Sequence, residues 1–254
     1  MREPIPATRH LAVFETLKEA WHLTKGSKWA IWAPLLALVG FVIAGGLLFT
    51  LLTHLIQSKA FVVSAAVILI VGLVILMAGF FSGALKITIE RARGNSVSAN
   101  SGFHSFSRVL PVLLTLILLG IIIELPQIIQ LILGFKPSSN EMALIILGVV
   151  LVYSIILSAF LYLATLLAID QTNSPFAAIG HSIKACAPHW FKIIGIVLMT
   201  YLIMIALYVP YILGLVFQHN LLLIFGGIFI LVAMIWVMPF LFLVQGVVYH
   251  KLVD

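Results

Sequence analysis

Six apolar runs dominate this chain, at residues 29–54, 61–86, 109–134, 142–169, 191–217 and 221–249. Each exceeds the roughly 20 residues that cross a bilayer core about 30 Å thick at about 1.5 Å per residue. A segment in lipid must pair its own backbone polar groups, so the runs are read as helices. Barrel strands would alternate in polarity over about 10 residues, and these runs do not. The remaining stretches, the longest being 1–28, 87–108 and 170–190, are too short for a separate folded domain. Composition agrees: 63% of the residues are hydrophobic and 9% are charged, against about 25% charged in a soluble protein. The expectation is an all-α polytopic membrane protein, with residues 1–254 as one integral membrane domain.

The turns alternate in length. Those at 55–60, 135–141 and 218–220 are short, and the loops at 87–108 and 170–190 are longer. An even number of spans puts both ends of the chain and both longer loops on one side. That side carries Arg2, Arg9, Lys18, Lys25, Lys28, Lys86, Arg91, Arg93, Arg108, Lys184, Lys192 and Lys251, and the other carries Lys59 and Lys136. An excess of Lys and Arg marks the cytoplasmic side, which predicts both termini cytoplasmic. The high isoelectric point, about 9.6, follows from this asymmetry and is no sign of nucleic-acid binding, because no basic patch interleaved with aromatics accompanies it. The first 28 residues lack the apolar core and small-residue cleavage site of a signal peptide.

An internal repeat underlies the pattern. Phe14, Leu17, Trp21 and Thr24 are spaced like Phe176, Ile179, Ile183 and Cys186, 162 positions later. Each set predicts one face of a short amphipathic helix. Glu15, Lys18, Glu19 and His22 fill the polar face of the first, and His181, Ser182 and Lys184 that of the second. Each helix then meets a break (Gly26, Pro188), a tryptophan at the membrane edge (Trp29, Trp190) and a span. Ser174-Pro175 suits a helix start, Ser as the cap and Pro in the first turn. The middle copy is abbreviated to Phe103, Phe106 and Leu110 before Pro111, and its Gly-, Ser- and Asn-rich lead at 94–102 is expected to be a turn. Leu125-Pro126 echoes Val209-Pro210. The units run at about 14–93, 99–170 and 176–251, each an interfacial helix followed by a helical hairpin. All three begin on the same side, which makes the repeats parallel, unlike the inverted repeats of many transporters.

Several features resemble a known group: Phe176-Ala-Ala-Ile-Gly-His-Ser-Ile-Lys184 after Asp170-Gln171, the pair His189-Trp190, and Ala92-Arg93-Gly94 leading to Gly102-Phe103. On these the chain is similar to six-span bacterial inner-membrane proteins of the YciC type. It also resembles the membrane domain of membrane-anchored glycerophosphodiester phosphodiesterases. The resemblance implies a bacterial inner (plasma) membrane location and an architecture, and it carries over no catalytic residues. The phosphodiesterase domain itself has no counterpart here.

Glu124 is the sharpest candidate for function, because an ionisable residue inside a span is costly. Gln127 and Gln130 follow it as a drifting polar stripe, and Pro126 frees a backbone carbonyl that such groups could satisfy. The stripe is a proton- or ligand-pathway candidate facing the bundle interior. Alternatively Glu124 is protonated and hydrogen-bonded, or reaches the outer headgroups. Lys18, Trp21, Lys25, Lys184 and Trp190 are candidates for interfacial contact with lipid or a partner. Gly79 with Gly83, and Ser154 with Ser158, have the spacing that lets helices approach closely. Lys86 and Glu90 are placed for an exposed ion pair, and Asp170-Gln171 for simple helix termination.

Chemistry is otherwise sparse. Cys186 is the only cysteine, which excludes an internal disulfide. The histidines at 10, 22, 54, 104, 181, 189, 219 and 250 show no metal-ligand spacing, and no phosphate-binding or nucleophile-elbow motif is present. The expectation is a non-enzymatic protein without metal or cofactor. Its role would be accessory, in membrane, envelope or lipid homeostasis or within a membrane assembly. The expected partners are membrane lipid and, where an assembly exists, another protein of it, but no nucleic acid. The alternative is a small transporter or channel using Glu124, Gln127 and Gln130.

Overall fold

Helix runs through nearly all of the computed structural model, which describes residues 11–56, 58–134 and 139–254, and of 104–106 the backbone only. Arg2, Arg9, His10 and Lys136 lie outside the described residues, and so do the side chains of His104 and Phe106. Among the described residues there is no strand. The helices are α1 (Val13–Thr24), α2 (Lys28–Leu55), α3 (Lys59–Ala92), α4 (Val109–Ile123), α5 (Leu125–Ile132), α6 (Asn140–Phe160), α7 (Ala164–Asp170), α8 (Pro175–Cys186), α9 (Trp190–Val216) and α10 (Asn220–Val253), with 3₁₀ segments at Ala99–Arg108 and Ala187–His189. Five helical stretches are long and apolar enough to cross a membrane: Lys28–Leu55, Lys59–Ala92, Asn140–Asp170, Pro175–Val216 and Asn220–Val253. The bent pair α4 and α5 makes a sixth if counted as one span. The chain is a multi-pass, all-helical membrane protein.

Several expected elements differ, each for a visible reason. The run 109–134 is not one straight helix. It bends by 61° between α4 and α5, at the residues before Pro126, which can neither donate to Ile122 nor avoid crowding it. The orphaned Ile122 carbonyl accepts from the Tyr153 hydroxyl of α6 at 2.7 Å. Pro239 in α10 is accommodated the same way: the carbonyl four residues back, on Ile235, accepts from the Trp32 indole of α2 at 3.1 Å. Neighbouring helices thus repair the backbone that proline breaks.

The run 142–169 is also interrupted, at residues 161–163. Ser182 of α8 is inserted there. Its hydroxyl donates to the Phe160 carbonyl at 2.8 Å and accepts from the Leu163 amide at 3.2 Å. A side chain wedged into the ladder is a recognised cause of such breaks. The Gly-rich lead of the middle unit turns at Gly94 (φ +85°) and then forms the 3₁₀ segment rather than a turn alone. That segment lies directly on α3: a Cβ on Gly83 would collide with the Gly102 carbonyl oxygen. Gly83 therefore serves close packing within the chain. At the start of α8, Ser174 accepts from the Ala177 amide at a long 3.4 Å and Pro175 occupies the first turn.

The buried side chains collect at one end of the molecule. Most come from α1, the first turns of α2 and α9, α7, α8, and the last parts of α3 and α10, with Leu11, Val112 of α4, Ala159 of α6 and Leu163 beside them. Elsewhere the helices are bare: α2 beyond Pro34 and α3 before Ala78 bury no side chain. Such faces suit lipid, not water. In α1 the aromatic residues are not the buried ones. Thr16, Leu17, Ala20 and Thr24 are buried, whereas Phe14 and Trp21 are exposed. The same holds 162 residues later, where Ala178, Ser182 and Cys186 are buried and Phe176 and Ile183 are exposed.

The packed end carries a second, clearer periodicity of 80 residues. Phe80 meets Phe103 at 5.9 Å, Phe160 stacks on Trp190 at 6.3 Å, and Phe240 meets Trp21 at 5.6 Å. Beyond each phenylalanine the burial repeats: Ile87, Leu167 and Val247 are buried, as are Ile89, Ile169 and Tyr249.

Candidate functional site

Ten residues past those phenylalanines stand Glu90, Asp170 and His250, and all three belong to one network of charges. Asp170, with a side chain only 10% exposed, is its hub. It accepts from Lys86 Nζ at 2.7 Å, from Arg93 Nη1 and Nη2 at 3.2 and 2.5 Å, and from the Tyr249 hydroxyl at 2.9 Å. Asp170 ends α7, where the helix dipole disfavours a carboxylate. Two cations and a phenol supply the compensation, so this residue does much more than terminate a helix.

Arg93 joins three helix ends. Beyond Asp170 it donates to Asp254 from Nε at 2.9 Å and from Nη2 at 2.7 Å, while its guanidinium lies 5.8 Å from the centre of the Tyr249 ring. The planar fork of arginine suits two carboxylates at once. Bonds to Asp254 and then Asp170 push the Arg93 pKa further above its already high value. Burial works against ionisation of Asp254, but bonds from Arg93 and His250 outweigh it and hold this carboxyl below its ordinary range. The expected Lys86–Glu90 pair forms at 3.2 Å, yet as one edge of this cluster and not as an isolated solvated pair. Asn95 closes the rim by donating to Glu90 at 2.6 Å.

Further polar ties brace the same end. Arg91 of α3 donates to the Leu23 and Lys25 carbonyls at the end of α1 at 3.4 and 3.1 Å, a cation placed where the helix dipole favours one. Lys251 of α10 pairs with Glu19 of α1 at 2.8 Å. Arg108 bonds Asn173 across the segment before α8. Among the described residues, no buried side-chain nitrogen or oxygen lacks a hydrogen-bond partner. The arrangement fastens helices together and presents no nucleophile poised beside a base.

The other sequence candidates fall elsewhere. Glu124 sits at the α4–α5 bend, exposed, with Gln127 exposed and Gln130 half-buried. They are carried on the bent segment, away from the charge network. Lys18 and Lys184 are exposed on α1 and α8. Trp190 packs on Phe160 and Phe191. Ser154 and Ser158 are half-buried, Ser158 bonding back to the Ile155 carbonyl. Among the described residues no three His, Cys, Asp or Glu side chains are grouped to hold a metal.

Trp21 and Lys25 line a shallow groove of about 440 Å³, together with Ala233, Trp236 and Val237 of α10. The Lys28 ammonium caps the Trp236 ring at 3.5 Å from its centre. Residue types and local spacing do not single out Arg93 as a hub, nor Tyr249, Asp254, Trp236 and Lys28. A signal that points to this end of the molecule is the 80-residue spacing of Phe80, Phe160 and Phe240, each ten residues before Glu90, Asp170 or His250. A scan against models of protein families, a search of curated proteins and a search of solved structures return no match to this chain.

Proposed function

We propose that this is a non-enzymatic accessory protein of the bacterial inner membrane, with three parallel helical hairpins and both ends of the chain in the cytoplasm. The observation that carries the reading is the meeting of α3, α7 and α10 in one ion network over a packed core. On this reading each of these is the closing segment of one hairpin, and the network marks the axis about which the three units are arranged. Helix lengths support a membrane boundary at the three phenylalanines. From Lys59 to Phe80, from Asn140 to Phe160 and from Asn220 to Phe240 there are about 21 residues, a crossing of roughly 30 Å. Past that boundary the ends of α3 and α10 form a cytoplasmic collar, closed by α1, α8 and the 3₁₀ segment. The basic residues gather on this side, as the cytoplasmic side requires.

The accessory role, in membrane, envelope or lipid homeostasis or within a larger assembly, rests on the same cluster. The densest group of charges is spent on joining helices, which leaves the outer faces of α1 and α8 for lipid or a partner. Six-span proteins of the YciC type remain the family that the sequence resembles. The test is purification from native membrane into nanodiscs with mass spectrometry of what accompanies the protein. A stoichiometric partner that is lost on charge reversal at Lys18 or Lys184 supports the reading. An unchanged set of partners and an unchanged phospholipid profile on deletion would overturn it. Scanning accessibility of introduced cysteines in a Cys186→Ala background tests the orientation: labelling of position 18 from outside would reverse it.

One observation favours the transporter or channel reading: the span containing Glu124 is broken at that residue. Glu124→Gln should then abolish flux while leaving insertion intact, and wild-type flux in that variant would remove the alternative.

A further inference from the structure

The groove between α1 and α10 combines three properties. Its floor is apolar and aromatic: Trp21 lies 6.5 Å from Trp236 and 5.6 Å from Phe240, and Ala233 and Val237 extend the surface along α10. Its rim holds two cations, Lys25 and Lys28, and no carboxylate among the described residues lies within 4 Å of either. Lys86 and Lys251, by contrast, are committed, Lys86 to Asp170 and Glu90 and Lys251 to Glu19. Finally, Trp236 lies one helical turn from Phe240 on the side away from the charge network, and Ala233 nearly a turn further. Under the boundary proposed above, the lysines lie at headgroup level and the apolar floor runs into the first turns of the acyl region. Tryptophan and lysine are the side chains that favour this depth.

We infer that this groove binds an anionic glycerophospholipid, its phosphate held by Lys25 and Lys28 and an acyl chain laid along Ala233, Trp236 and Val237. Charge complementarity selects this occupant: a basic rim with no counter-ion among the described residues suits an anion from outside, and an apolar floor continuous with the bilayer suits an anion that carries a chain. The corresponding place beside α8 lacks the rim, since Ala187 stands where Lys25 does, 162 residues on. The site is therefore a property of the first unit, not of basic residues in general. The inference rests on the proposed membrane boundary, and the experiment separates the two.

The full chain is reconstituted in phosphatidylcholine nanodiscs, and tryptophan quenching is measured with acyl-brominated phosphatidylglycerol or acyl-brominated phosphatidylcholine at equal low mole fraction. Each lysine near the surface contributes roughly a fivefold factor toward an anionic lipid. The wild type should therefore prefer phosphatidylglycerol by about 30-fold in relative affinity. Lys25→Gln should retain roughly a fivefold preference, and the double variant Lys25→Gln/Lys28→Gln almost none. Lys184→Gln/Lys192→Gln, with the same loss of charge, should behave as wild type, and Trp236→Phe should lose a large part of the phosphatidylglycerol-specific quenching, Trp21 beside it reporting the rest. Equal quenching by both lipids, a preference that survives in the double variant, or the same loss in the Lys184/Lys192 control would overturn the site and leave the membrane boundary standing. If Trp236→Phe changes quenching by neither lipid, the groove is covered by protein and the inference fails. No quenching by either lipid in any variant would overturn the membrane boundary as well.

Discussion

Asp170→Asn is the most direct probe of what the charge network contributes, because it keeps the shape of the side chain and removes only its charge. Asp170 accepts four bonds, three of them from cationic nitrogens. A hydrogen bond to a charged group is worth about 1.5–3 kcal/mol net, roughly twice a neutral one. The amide oxygen of Asn can keep one or two of the four at the neutral value, while its NH₂ group faces donors and repels them. Removing one member of a fully buried pair costs about 3–5 kcal/mol. Here Lys86 and Arg93 are about a third and a quarter exposed, and water screens part of the loss. The expected destabilisation is about 2–3 kcal/mol. Tyr249→Phe removes one bond to a charged acceptor and should cost about 1–1.5 kcal/mol. Lys86→Gln should cost about 1 kcal/mol, since Arg93 still holds Asp170. The assay is reversible unfolding in mixed micelles with increasing denaturing detergent, followed by circular dichroism. A cost below about 0.5 kcal/mol for Asp170→Asn, the range of an exposed pair, would refute the hub. So would a larger cost for Tyr249→Phe than for Asp170→Asn.

Four other outcomes are expected from the packing. Gly83→Ala should destabilise by about 1–3 kcal/mol, because the added methyl must displace the Gly102 backbone, whereas Gly46→Ala meets open space and should be near neutral in the same assay. Trp32→Phe should cost about 0.6–1.5 kcal/mol, and much less in a Pro239→Ala background, where residue 239 supplies its own N–H to Ile235; additive costs in the double-mutant cycle would show that the indole bond is incidental. Ser182→Ala should cost about 1–2 kcal/mol by leaving the Leu163 amide without its acceptor, and hydrogen exchange should rise at Leu163 first. Because its folded-state pKa is depressed, Asp254 contributes stability that is fully present above the ordinary carboxylate range and is lost as pH falls through the lower folded value; Asp254→Asn should flatten the acid limb of a stability–pH profile and leave the neutral plateau sloping as before.

The helical class and the presence of five or six long apolar stretches are legible in the sequence because hydropathy over about 20 residues is a strong, additive signal. Interruptions are less so. Pro126 and Pro239 are visible as residues, but the donor that satisfies each freed carbonyl comes from a different helix. Tyr153 stands 31 residues from Ile122, and Trp32 stands 203 from Ile235. The break at 161–163 carries no local mark, since its cause is the hydroxyl of Ser182. Burial in α1 and α8 departs from the amphipathic expectation for a physical reason. In water the bulky apolar face of an amphipathic helix is the one that packs. At a bilayer surface lipid can cover Phe14 and Phe176, while small residues let α1 and α8 approach the rest of the protein. The hub escapes local spacing because i, i+4 proximity singles out Lys86 and Glu90, whereas Asp170 reaches them only when distant helix ends converge.

Convergence is also what gives the 80-residue period its meaning. Hydrophobic residues recur everywhere in a chain of this composition, so a repeat of apolar positions alone is weak. The recurrence here couples three different kinds of observation at one spacing. A phenylalanine packs on an aromatic of another segment (Phe80, Phe160, Phe240). Seven and nine residues later come fully or nearly buried positions, and ten residues later a polar residue of the charge network (Glu90, Asp170, His250). The chemistry of the last set differs among the three copies. Identical acidic residues converging at one axis would repel one another. Glu90 and Asp170 instead share Lys86 and Arg93, while His250 meets Asp254, which returns to Arg93. Three helix ends that share one 80-residue spacing are thus joined by unlike charges. This divergence has a physical advantage over identical repetition, because each carboxylate of the cluster meets a basic partner and not another carboxylate.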